Sequence, residues 1–243
     1  MTIHLHTMTY NDFQLLPYFF MNYDDLDPKY YFYDWGSDSK SLELIKSHPN
    51  TEIISDFPHE TLDDNILMNL KNTVWKKSRG VTDWVIVSDL DEFLYHPRLK
   101  ELLEILTREK YTIIKPVGYD MTSEEVPSNP NEFIIKQINC GLMNHLMDKY
   151  ICFNPNLIQE INFRPGCHTA LPIGEIKYYF HPMMKLLHMK YLGLGYLMER
   201  RESMASRLSE YNKQTGFASY SLNTPEEMKI EFMEAVERSK KIF

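Results

Sequence analysis

Disulfides and long apolar runs are what this chain most plainly does without. Its 243 residues include three cysteines, Cys140, Cys152 and Cys167, at spacings that match no paired ligand pattern. An odd, scattered set reads as reduced cytosolic thiols and excludes a disulfide framework or a zinc site built on cysteine pairs. No stretch approaches the ~18 consecutive apolar residues of a membrane span, and Met1-Thr2-Ile3-His4-Leu5-His6 has no basic region ahead of an apolar one. The expectation is a cytoplasmic protein without a secretion signal or transmembrane segment, with peripheral membrane association left open. Positive charge is also short: 26 Lys and Arg face 34 Asp and Glu, a formal net charge of -8. Nucleic-acid backbones and acidic membranes reward clustered cations, so neither is expected as the main partner. An anionic substrate would need something local to offset that field. Internal repeats and low-complexity segments are absent as well.

What is present is an ordinary globular composition, 43% hydrophobic and 25% charged, in a length that suits one α/β domain or one domain with a small appendage. The aromatic share is high at 13%, with 16 Tyr, and is assigned mostly to the core. Up to about residue 118, strand and helix patterns alternate. Ile3 to Thr9 reads as a strand running into Tyr10-Asn11-Asp12 and a helix from Phe13 to Tyr23, in which Pro17 predicts a kink or a late start. Lys29 to Asp34 and Thr51 to Ser55 read as the next strands. A helix is predicted from Thr61, with Asp64 as a weak capping box, to a stop at Gly80, and its apolar spacing puts Trp75 in the core. Arg98 to Lys110 reads as an amphipathic helix and Tyr111 to Val117 as another strand. Such alternation implies a parallel sheet covered on both faces.

Beyond Gly118 the pattern loosens. Phe133 to Ile138, Tyr150 to Phe153 and Ile176 to Phe180 read as irregular strands, followed by helices over roughly Tyr196 to Tyr211 and from Thr224-Pro225-Glu226-Glu227 to Arg238. The division into 1–118 and 119–243 thus separates two halves of one continuous domain, the second building the other wall of a cleft.

The most informative stretch is Trp84-Val85-Ile86-Val87-Ser88-Asp89-Leu90-Asp91-Glu92-Phe93-Leu94, an apolar run that ends in carboxylates. It reads as a buried strand whose carboxyl end faces a cleft. With strand alternation, Asp89 and Asp91 would converge on one hard cation while Leu90 turns away. Two aspartates at a strand end also serve as helix caps and loop ligands, so context has to decide.

That context resembles the nucleotide-sugar-dependent glycosyltransferases of the GT-A fold, family 2 and its bacterial relatives. Thr9-Tyr10-Asn11 is similar to the family's Thr-Tyr-Asn, Asp34-Trp35-Gly36-Ser37-Asp38-Ser39 to its Asp-Asn-Gly-Ser-Thr-Asp segment, and Ser88-Asp89-Leu90-Asp91-Glu92-Phe93 to its Asp-x-Asp signature. The likeness covers residues 1 to about 118, and Trp35 departs from the family's Asn. It implies a Rossmann-like, mostly parallel sheet flanked by helices, with an irregular acceptor-side region and C-terminal helices. It implies a sugar moved from a nucleoside diphosphate, usually UDP, to a saccharide or other hydroxyl acceptor, with inversion. Tyr10 would stack on the base, Asp34 would accept from its edge, and Asp89 would lie near ribose and metal. Asp91 would bind Mn²⁺ or Mg²⁺, which acts as a Lewis acid for the leaving diphosphate. His188, in His181-Pro182-Met183-Met184-Lys185-Leu186-Leu187-His188, resembles the family's late metal-binding histidine, with His168 as runner-up and Lys185 and Lys190 placed to meet phosphates. For the general base the candidates are Asp120, Glu175 and His168, each with turn capping as the plain alternative. A haloacid-dehalogenase-type phosphatase also uses Asp-x-Asp after a strand. It expects the motif near the start of the domain and Thr or Val where this chain has Phe93, and it ranks second. A catalytically silent carbohydrate-binding module is the third reading. The oligomeric state is not legible in the sequence.

Overall fold

The run Trp84 to Val87 is buried on both faces because strands flank it and helices cover it. In the structure, a computed structural model that describes residues 1–58 and 60–243, this run belongs to a sheet of ten strands among the described residues. The strands are β1 (Ile3–Thr9), β2 (Lys29–Asp34), β3 (Thr51–Ile54), β4 (Trp84–Asp89), β5 (Glu92–Tyr95), β6 (Ile113–Ser123), β7 (Cys140–Met143), β8 (Cys152–Phe153), β11 (Tyr178–Leu192) and β12 (Lys240–Lys241), while β9 (Ile158–Glu160) and β10 (Ile173–Gly174) pair separately. The helices are α1 (Leu16–Tyr23), α2 (Ser39–Ser47), α3 (Asp64–Thr73), α4 (Leu99–Arg108), α5 (Ile134–Gln137), α6 (Leu194–Arg207), α7 (Glu210–Thr215) and α8 (Pro225–Arg238).

The order β3-β2-β1-β4 is parallel throughout, as the alternation predicts. Its register sets Thr9 beside Asp34 and Met8 beside Asp89, so three strands finish side by side at their carboxyl ends. The second half joins the same sheet. β8 pairs antiparallel with β4 and β6, and β11 runs parallel to β6 and antiparallel to β5. The main core forms where α1 lays Leu16, Phe19 and Tyr23 against Leu5, Phe32 and Phe93. Each such buried side chain contributes about 1.5–3 kcal/mol relative to leaving it exposed. Trp75 is core, as predicted, and meets Phe153 edge-on at 4.9 Å. Among the described residues no helix is long and apolar enough to cross a membrane.

Several boundaries differ from the sequence reading for local reasons. Pro17 sits in the first turn of α1, where its missing N–H costs nothing, so it delays the helix. The cap of α3 is Asp63, whose carboxylate accepts from the N–H groups of Asn65 and Ile66 at 2.9 and 3.1 Å, while the preceding Leu62 bridges to Leu208. Phe133 to Ile138 holds the helical turn α5 rather than a strand. The predicted strand Ile176 to Phe180 is only the beginning of the 15-residue β11. Its register slips between Phe180 and Lys185 and again between His188 and Tyr191, which hides the alternation. The predicted helix over Tyr196 to Tyr211 breaks at Leu208, and Ser209 caps α7.

Candidate functional site

Beyond the ends of β1, β2 and β4 lies a cleft of about 610 Å³. Its floor is Met8, Thr9 and Asp89 to Glu92, one side is Tyr10 to Leu15 with Trp35, and the other is α6 with Lys71, Lys149, His168 and His188. Two loops shape the entrance. Asn11 takes φ 54°, a left-handed conformation that Asn tolerates better than bulkier residues. From there its carboxamide oxygen accepts from the Asp38 N–H at 2.7 Å and its own N–H donates to Ser37 Oγ at 3.0 Å, which ties the β1–α1 and β2–α2 loops together.

The two aspartates do not share a face of one strand. β4 stops at Asp89, and Leu90 and Asp91 form a turn into β5. Asp89 therefore turns to α3, where the buried Lys71 ammonium lies 2.7 Å away. Asp91 turns to α6, where Arg200 Nη2 lies at 2.7 Å. The second nitrogen of that guanidinium reaches Asp12 Oδ1 at 2.8 Å, so Arg200 clamps the β1–α1 loop to the end of β4. Glu92 points inward and pairs with Lys149 at 2.5 Å, both almost fully buried. Ions taken from water at this depth persist only when paired at short range.

β11 completes the ionic chain. Its register sets His188 opposite Glu92 on β5 and Asp120 on β6. His188 Nδ1 meets Asp120 Oδ1 at 2.7 Å and Nε2 lies 3.5 Å from Asp91 Oδ2. The other Asp120 oxygen accepts from Asn144 Nδ2 at 2.8 Å. Gly118 permits this, because a Cβ there would fall 2.4 Å from the Met147 carbonyl carbon, inside the turn that carries Asn144. Burial alone would lower the His188 pKa, but its hydrogen bonds to Asp120 and Asp91 outweigh it and hold the imidazole up at about 9. Burial would raise Asp91, yet Arg200 and His188 keep its carboxyl well below the usual range. For Lys71, Asp89 outweighs the desolvation that would otherwise lower it.

Of the residues the sequence singled out, Tyr10, Asp89, Asp91, His168 and His188 come together on this cleft. The Tyr10 ring is covered by the Arg207 guanidinium, 3.2 Å from its centroid. Asp34 is buried beside the cleft, its carboxylate accepting from the Gly36 and Ser37 N–H groups at 3.3 and 3.0 Å, the work of a turn cap. Glu175 is exposed at the β9–β10 hairpin. Lys185 bonds the Pro182 carbonyl at 3.1 Å, and it is Lys190 that lines the cleft. Asp120 spends both oxygens on His188 and Asn144 and so orients the histidine. His168 stands on the cleft wall with Nδ1 2.8 Å from the Leu146 carbonyl. A carbonyl only accepts, so Nδ1 carries the proton and Nε2 keeps the lone pair. Burial, with Lys149 nearby, lowers the His168 pKa, so the ring is neutral at neutral pH.

A resident Mn²⁺ or Mg²⁺ would need these oxygens free and convergent. Each aspartate instead has its Oδ2 against a cation of the protein, and both nitrogens of His188 face carboxylates. Among the described residues no group of three His, Cys, Asp or Glu side chains is placed to hold a metal ion. As arranged, the donor set does not fit such an ion.

Sequence reasoning passed over Asp12, Lys71, Glu92, Lys149 and Arg200. The helical spacing Tyr196, Arg200, Met204, Arg207 was the available signal, since it places two arginines on the face that also carries cleft-lining side chains.

No family model matches the chain, and no curated protein matches it. Among solved structures the chain is similar to S. aureus TarS 1–349 in complex with UDP-GlcNAc, at 11% identity over 92% of this chain and 72% of that one, with a TM-score of 0.45. A second structure of S. aureus TarS 1–349 is 10% identical over 85% of this chain and 65% of that one, with a TM-score of 0.44. S. aureus TarS itself is 11% identical over 96% of this chain and 43% of its own length, with a TM-score of 0.49.

Proposed function

We propose that the cleft binds a nucleoside-diphosphate sugar and that the protein transfers the sugar to a hydroxyl acceptor. The observation that carries this reading is the convergence, at the carboxyl ends of three neighbouring parallel strands, of an aromatic end, a cationic wall and a carboxylate–histidine floor. Tyr10, with Arg207 over one face of its ring, and the buried Trp35 line the end of the cleft proposed for a base, and Trp35 Nε1 is buried with no partner among the described residues. Arg200, Arg201 and Arg207 of α6 line the same cleft and supply cations for a diphosphate. Departure of a nucleoside diphosphate leaves negative charge on its oxygens, and guanidinium groups stabilise that charge where it develops.

His168 is the best-placed base for the acceptor hydroxyl. Its tautomer is fixed by the Leu146 carbonyl, and the remaining lone pair removes the proton as the hydroxyl oxygen attacks the anomeric carbon. Attack opposite the leaving diphosphate inverts that centre. His188, held between Asp120 and Asp91 and protonated at neutral pH, adds positive charge to the floor instead of accepting a proton.

The test is a panel of nucleotide sugars scored for binding and for slow release of the nucleoside diphosphate, which needs no acceptor. Saturable binding with release from at least one donor is expected. A panel with no binding, or a covalent phosphate on Asp89, ends the reading.

A further inference from the structure

Each carboxylate that would hold a divalent cation already has one oxygen against a cation of the protein drawn from a separate element. Lys71 comes from α3, Arg200 from α6 and Lys149 from the segment before β8. Lys71 is 2% exposed, so giving Asp89 over to a metal would strand a buried ammonium. An ion seated on Asp91 would share that carboxylate with the Arg200 guanidinium, already 2.7 Å from it, and two cations on one carboxylate repel each other.

The same helix leaves donors unused. Nη1 of Arg201 and Nη1 of Arg207 are buried without a hydrogen-bond partner among the described residues, and both residues line the cleft. Arg201 is 2% exposed and is aimed by Glu231 of α8, which accepts from its Nη2 at 2.6 Å. A buried donor without an acceptor costs free energy, so two of them on one cleft wall mark where an acceptor-rich ligand belongs. Lys190, in the same cleft, has long ion pairs with Asp120 and Glu231 at 3.9 and 3.8 Å. Arg200 and Arg207 are about two turns apart on one face of α6. Arg207 lies over Tyr10, its guanidinium carbon 3.2 Å from the ring centroid, and lines the same cleft.

We propose that this cleft holds the diphosphate of its ligand with the α6 arginines and needs no divalent cation, Asp12 and Asp91 serving to aim Arg200. The proposal rests on the nucleoside-diphosphate reading above, and its test separates the two. Calorimetric titration of the full chain with a panel of nucleoside diphosphates, UDP first, is run once in EDTA and once in excess Mn²⁺, with Mn²⁺ alone as a further titrant. The expected result is binding in EDTA within about threefold of that in Mn²⁺, no saturable heat from Mn²⁺ alone, and a loss of about tenfold in both buffers for Arg207→Gln. Binding that is at least about tenfold weaker in EDTA and restored by Mn²⁺ overturns the metal-free site while the nucleotide reading stands. Wild-type binding in both buffers that Arg207→Gln leaves unchanged, in a variant shown to be folded by its thermal midpoint, overturns the assignment to α6. Failure of every nucleotide in both buffers overturns the reading beneath it and the inference with it.

Discussion

His6 and the half-buried His4, near the start of β1, are held as neutral groups, whereas Asp91 and its neighbours, beyond the end of the adjacent β4, are held as ions. The two histidines share the Ser78 hydroxyl at 2.8 and 2.9 Å, and His6 also meets the Tyr33 hydroxyl at 3.1 Å. Tyr31 stacks on His6 at 4.8 Å with Lys77 over its ring at 3.7 Å. Burial, assisted by Lys77 for both and by Lys29 for His4, lowers both imidazoles below 6.5. In the cleft, burial is opposed instead by partners of opposite charge, so the groups stay ionised. The difference teaches where chemistry belongs. A neutral hydrogen-bonded cluster is saturated and serves the fold, while an ionic cluster with unused guanidinium donors still has a field to offer a ligand.

The comparison breaks most sharply at two histidines. His168→Gln is expected to lower donor-to-acceptor turnover by about 10²–10⁴-fold with little change in thermal midpoint. His6→Gln should do the reverse, lowering the midpoint and leaving turnover close to wild type; the opposite pattern in paired assays would exchange their roles. Next in size is the asymmetry of the Lys71–Asp89 pair, whose side chains are 2% and 31% exposed. Asp89→Ala strands the buried ammonium and should cost about 3–5 kcal/mol in urea unfolding, whereas Lys71→Met leaves a carboxylate that water can reach and should cost distinctly less. Equal losses would refute the pairing as drawn. The smallest effect concerns pH. As pH falls below the histidines' ordinary 6.5, the unfolded chain binds protons that the folded chain refuses, so stability falls with pH from there downward. Each histidine adds at most about 1.4 kcal/mol per pH unit. A His4→Asn, His6→Gln double variant should flatten the profile between about pH 6.5 and 5.5, and unchanged curvature in denaturant titrations would remove the histidines from the account.

Much of the fold was readable where its signals are local. Trp84 to Val87 announces a buried strand by composition alone, Thr224 and Glu227 announce a helix start by their spacing, and both are found. The cleft itself followed from counting strand and helix units up to Asp89. Its working groups were harder to see. Arg200 stands 109 residues from Asp91 and 188 from Asp12, and Lys149 stands 57 from Glu92. Residues so far apart carry no mutual pattern in a single chain. β11 escaped because Pro182 and two register slips break its alternation, and with it went the setting of His188 between Glu92 and Asp120.

The sequence by itself determined that an α/β sheet would form and that its fourth strand would run into carboxylates, because burial and backbone periodicity are encoded over a few neighbouring residues. It could not determine what those carboxylates face. That was decided when α3 and α6 folded over the strand ends and brought Lys71 and Arg200 within 2.7 Å. Only the assembled structure brings such distant side chains close enough to decide whether a buried carboxylate meets a protein cation or a free ion.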